Sequence, residues 1–207
     1  MILIGLLLLV FLPVLVFSPS NGDPLSIDNR EDWIVYENER FAFSLEYPPD
    51  WKVFEFTEEV PSPGFHILPL GIDPGDVRAI THHTDITQFS VFPEGYPTEG
   101  IFGPSRSSWA FFAGETEEST DYYLSNDEVW ATMISPEKVP LSWNEYGFIW
   151  AGLKIEKHEV LCFDGEKELP KGVCDPALGH EVRHSGSVDP LERLILEEIL
   201  RSFRFQD

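Results

Sequence analysis

The feature that most constrains this chain is the stretch Glu37 to Trp51, ENERFAFSLEYPPDW. Phe41, Phe43, Leu45 and Tyr47 share one parity, and Ala42, Ser44 and Glu46 take the other. That is the period of a β-strand with one buried face, because successive side chains leave a strand on opposite sides. Pro48 and Pro49 end the pattern, since proline has no N–H to give to a ladder, and Asp50 favours the turn. Trp51 to Phe56 then reads as a second strand, and Ile34 to Tyr36 as a short one ahead of the pair. Aromatic residues at inward positions account for a 14% content of Phe, Trp and Tyr without any ligand-stacking role.

Further along, Ile86 to Phe92 and Val129 to Ile134 are strand patterns. Trp143 to Cys162 reads as a long hairpin arm or two strands. Within it Tyr146, Phe148 and Trp150 keep one parity and Leu153 and Ile155 the other, so a bulge at Ala151-Gly152 is expected to restore a common face. Proline and glycine dominate Pro61 to Gly75 and Pro93 to Pro104, which predicts irregular loops. Their aromatic-rich parts, Phe65 to Ile72 and Phe92 to Phe102, either present a partner surface or cover the sheet. Ser105 to Ala113 is expected as a short helix carrying Trp109, Phe111 and Phe112, and Gly114 to Asp121 as a surface turn.

The most legible helix comes last. Asp189 can cap it, Pro190 suits the first helical position, and Glu192 stands where a capping box needs it. Leu191, Leu194, Ile195 and Ile199 are expected to line the face packed on a sheet, with Arg193, Glu197 and Arg201 on the other.

Residues 1–22 carry no charged side chain, and Ile2 to Phe17 is apolar except for Gly5 and Pro13. This run is shorter than the roughly 20 apolar residues of a stable span, and small polar residues follow it. It reads as a signal peptide, with an uncleaved N-terminal anchor as the alternative. Residues 23–207 form one expected domain. The whole formal charge of -22, from 36 acidic against 14 basic residues, falls on that domain. Nucleic acid and anionic lipid surfaces are therefore repelled, leaving the N-terminal segment as the sole expected membrane contact. The acidity suits a solvated surface; no Asp-x-Asp-x-Asp-Gly pattern with a following Glu fixes calcium ligands.

Cys162 and Cys174 are the two cysteines. An even count in an exported chain predicts a disulfide, and Asp164-Gly165, Pro170 and Gly172 mark the segment between them as turn-rich. His180 to His184, HEVRH, fits the His-Glu-x-x-His pattern in which two histidines one helical turn apart bind Zn²⁺ and the Glu activates water. That chemistry needs a helix. In a strand the two histidines stand about 13 Å apart, at about 3.3 Å per residue. Arg183 within the motif, Gly179 and Ser185-Gly186 beside it, and its place just before the last helix favour the strand. Nucleophile-elbow, dinucleotide and phosphate-loop patterns are absent. His82 and His83 are read as surface loop residues.

Tyr36, Asn38, Phe43, Ser44, Tyr47, Pro48 and Trp51 near the front, with Ile199, Leu200, Ser202, Phe203 and Phe205 near the end, resemble the opening and closing phrases of the Mog1/PsbP-like superfamily. The resemblance covers about a quarter of the chain. It implies an α+β fold, an α/β/α sandwich on a central, mostly antiparallel sheet with the C-terminal helix packed on it. Members serve photosystem II as extrinsic subunits or bind a small GTPase, so the likeness implies no single function and transfers no functional residue.

The expectation drawn from these observations is an exported, non-catalytic binding or accessory domain with a protein partner at the cell envelope and no cofactor. Its rival is a zinc-dependent hydrolase using His180, Glu181 and His184.

Overall fold

The computed structural model describes residues 30–56, 63–73, 84–96, 103–170, 173–175 and 178–206. The apolar leader and His82 and His83 lie outside them.

Three strands follow one another as the alternation requires: β1 (Ile34–Asn38), β2 (Phe43–Tyr47) and β3 (Trp51–Phe56). Asn38 shapes the β1–β2 connection. Its Oδ1 accepts from the Phe41 N–H at 2.9 Å, and its Nδ2 donates to the Tyr36 hydroxyl at 2.9 Å. That hydroxyl in turn donates to Glu55 Oε1 at 2.6 Å. Burial and the neighbouring carboxylate both push the Tyr36 phenol well above its ordinary pKa.

The main body is a seven-stranded antiparallel sheet in the order β3-β4-β5-β9-β8-β7-β6. Its remaining strands are β4 (Gly64–Pro69), β5 (Gln88–Phe92), β6 (Ser105–Phe112), β7 (Glu115–Tyr123), β8 (Val129–Ile134) and β9 (Phe148–Gly152). Three expectations are corrected here. Gly64–Pro69 is a strand and not part of a loop; it shows no alternation because its residues up to Leu68 are buried whichever face they take. Ser105–Phe112 is a strand and not a helix, and Glu115–Tyr123 is its antiparallel partner, with the turn confined to Ala113 and Gly114. Cross-strand pairing overrides the weak local preferences of both segments.

The expected bulge at Ala151-Gly152 does not form. β9 ends at Gly152, Tyr146 is 72% exposed ahead of it, and Leu153 and Ile155 are buried in the connection to the next strand. That strand, β10 (Glu156–Asp164), pairs with β11 (Lys167–Glu168) and β12 (Glu181–Ser187) in a separate three-stranded sheet.

The last helix, α1 (Pro190–Ser202), begins as its cap predicts: Asp189 Oδ1 accepts from the Leu191 N–H at 2.7 Å. Glu192 does not close a capping box; its carboxylate takes the hydroxyl of Thr87 instead. The buried face is also rotated from expectation. Leu196, Ile199 and Leu200 are buried, whereas Leu191 is 46% exposed. Ser202 ties the helix to β2, accepting from the Glu46 N–H at 2.8 Å. β13 (Arg204–Phe205) then pairs with β2, which brings Phe203 flat against Phe43 at 5.3 Å and against Phe112 at 4.6 Å. The protein is thus α+β, with a central antiparallel sheet and a C-terminal helix packed on it. Among the described residues the helical layer covers one face of that sheet.

Candidate functional site

Glu181 to His184 of HEVRH lie in β12, so the segment is a strand as its alternation predicts. β12 pairs with β10 through Val160↔His184, Leu161↔Arg183 and Cys162↔Val182. The three residues of the motif have separate surroundings. His180 stands ahead of the strand, where its Nδ1 accepts from the Asp175 N–H at 3.0 Å. Glu181 is exposed and held by two hydrogen bonds from Arg183, both at 2.9 Å, which keep its carboxyl below the usual carboxylate range. Arg183 itself lies over the Phe163 ring at 4.4 Å. His184 is buried, 6% exposed, against the ring of Trp130.

His184 has a partner that sequence inspection did not single out. Its Nδ1 lies 2.8 Å from His158 Nε2, and His158 Nδ1 lies 3.2 Å from the Thr84 hydroxyl. A register shift in β10 between Glu156 and Glu159 places His158 there. Gly186 gives the shift its room: at φ +138, a Cβ would come within 2.5 Å of the Glu156 carbonyl. Burial pushes the His158 imidazole below its ordinary pKa, with the Asp85 carboxylate pulling the other way. Among the described residues, no three His, Cys, Asp or Glu side chains gather closely enough to hold a metal ion. The helical histidine pair of a zinc hydrolase is therefore not formed by HEVRH.

Cys162 and Cys174 are bonded to each other, with Cα atoms 5.6 Å apart, and tie β10 to the segment that follows β11. Such a bond suits an oxidising, extracytoplasmic compartment. No helix among the described residues is long and apolar enough to cross a membrane.

A cleft of about 360 Å³ with mixed polar and apolar walls lies between α1 and the sheet. Ala110, Ala151, Leu196 and Leu200 supply apolar wall, and Asp121 accepts from the Thr132 hydroxyl at 2.6 Å within it. Arg193, also in the wall, is anchored to Glu128 at 3.0 Å and to the Val129 carbonyl at 3.1 Å. Trp130 lines it too, and among the described residues its buried Nε1 has no acceptor.

Beside the cleft runs β6, an edge strand that pairs with β7 alone among the described residues. Trp109 is 71% exposed and Phe111 47% exposed on it. The register sets Trp109 opposite Glu118 and Ala110 opposite Glu117. Directly paired residues share a face, so Trp109 and Glu118 are neighbours, while Ala110 stands with Phe112 on the helix side. The sequence held a signal for this: SSWAFF alternates, but the run of aromatic residues suggested a helix face.

No family model, curated protein or solved structure matches the chain.

Proposed function

We propose that this chain is an exported, non-catalytic binding or accessory domain of Mog1/PsbP-like kind that engages a protein partner at the cell envelope. One observation carries the reading: two large aromatic side chains, Trp109 and Phe111, stand exposed on a sheet edge whose other hydrogen-bonding side has no partner among the described residues. Natural sheets blunt such edges with lysine, proline or bulges, because an open edge is a template for another strand. The opposite edge is guarded in this way. β3 follows Pro48-Pro49 and carries Lys52 and Glu55. From Ser107 to Phe112, β6 carries no charge and no proline.

The disulfide and the uncharged leader support export, and the paired Glu181 and buried His184 support a role other than hydrolysis. The test places a photo-crosslinker at position 111 of the full chain in native cells. A discrete adduct with an envelope protein is expected. Fractionation that finds the full chain soluble in the cytosol with free thiols ends the exported reading, and a hydrolytic activity lost on Glu181→Gln ends the non-catalytic one.

A further inference from the structure

We infer that the β6 edge accepts an extended segment of another protein as an added strand, and that this segment alternates basic with apolar side chains. The inference rests on the binding reading above and names the partner's chemistry.

An added strand meets β6 through its free N–H and C=O groups, and its side chains alternate between the two faces of the sheet. On the face of Trp109 it meets an exposed indole and, one strand further, Glu118. Neither Glu117 nor Glu118 has an ion pair among the described residues. The neighbouring cations are already engaged: Arg106 with Asp127 at 2.7 Å, Lys138 with Glu115 at 3.9 Å, Arg193 with Glu128 at 3.0 Å and Arg201 with Glu198 at 3.6 Å. A lysine or arginine of the incoming strand can lie over the Trp109 ring and extend toward Glu118.

On the other face the added strand meets Ala110. Ala110 lines the cleft under α1, so a leucine-sized side chain opposite it lies beside an opening of about 360 Å³. The two faces thus select opposite side-chain types at successive positions of one segment.

The net charge decides between occupants. Two copies of a chain with formal charge -22 repel, and edge-to-edge pairing of β6 with β6 would put Glu118 of both copies on one face of the joined sheet and Glu117 of both on the other. A basic segment is attracted by the same field.

The test uses the purified full-length protein and two eight-residue peptides, one alternating lysine with leucine and one alternating glutamate with leucine. Saturable binding of the lysine peptide is expected, read by anisotropy and by the change in tryptophan fluorescence, and it weakens as salt rises. Trp109→Lys should lower the affinity at least tenfold and Glu118→Lys at least threefold, with the unfolding midpoint unchanged in both. Absence of saturable lysine-peptide binding at millimolar concentration overturns the inference, as does equal binding of the glutamate peptide or of Trp109→Lys. A dimer in sedimentation that Trp109→Lys dissolves assigns the edge to self-pairing and overturns it too. An envelope partner crosslinked equally by wild type and Trp109→Lys retains the binding role while removing this surface.

Discussion

His158 Nε2 lies 2.8 Å from His184 Nδ1, with the two rings stacked at 5.0 Å, so one imidazole must donate while the other accepts. The contact exists while at least one ring is neutral. Because burial lowers the His158 pKa, the fold favours its neutral form. The stability this contributes is complete above the ordinary imidazole pKa of about 6.5 and is lost as pH falls through the lower folded value. The thermal midpoint is expected to drop more steeply below that pH in the wild type than in His158→Gln, which keeps a polar side chain but has no imidazole to protonate. Superimposable pH profiles for the two would refute this.

Reducing the Cys162–Cys174 bond opens a loop with a sequence separation of 12. In the chain-entropy model, closing a loop of this size stabilises by roughly 3 kcal/mol. The double variant Cys162→Ser, Cys174→Ser should lower unfolding stability by about that amount in urea titrations. Reductant should leave the variant's midpoint where it is. A wild-type midpoint that does not move on full reduction would contradict the prediction.

Phe203 is fully buried and touches Phe43, Phe112, Trp143 and Phe205. Phe203→Ala leaves a cavity at the point where helix, sheet and the β1-β2-β13 unit meet. The expected cost is about 3 to 5 kcal/mol, together with a weakened near-ultraviolet dichroism signal. A loss under about 1 kcal/mol would show that the ring is not a keystone of the core.

Glu181 is exposed and occupied by Arg183. Glu181→Gln is expected to leave bound-metal content and stability unchanged, the latter within about 0.5 kcal/mol, measured by elemental analysis and urea titration. A stoichiometric zinc in the wild type that disappears on His184→Ala would restore the hydrolase reading.

The parts of the fold legible in the sequence are those where local pattern and tertiary environment agree. Phe41, Phe43 and Leu45 alternate because one face of their strand is buried, and Asp189-Pro190 announces a helix because caps are local chemistry. β4 was illegible for the opposite reason: Phe65, His66, Ile67 and Leu68 are all buried, so no alternation remains to read. β7 looked like a turn because acidic residues dominate Glu115–Ser119, yet its ladder with β6 holds it extended. The helix face was misplaced by about a third of a turn, since Arg193 is drawn to Glu128 by a contact that helical periodicity does not encode. The strand character of HEVRH was readable, but His158 was not, because nothing local marks residues that meet across a register shift.

The flat stacking of Phe203 on Phe43 joins residues 160 positions apart in the chain. During synthesis, everything before α1 must therefore wait with one side of the Phe43 ring uncovered, since Tyr36, Phe65 and Trp143 can pack on it but Phe203 arrives late. The order in which the chain is made thus delays closure of its core until the helix and the short strand after it are complete.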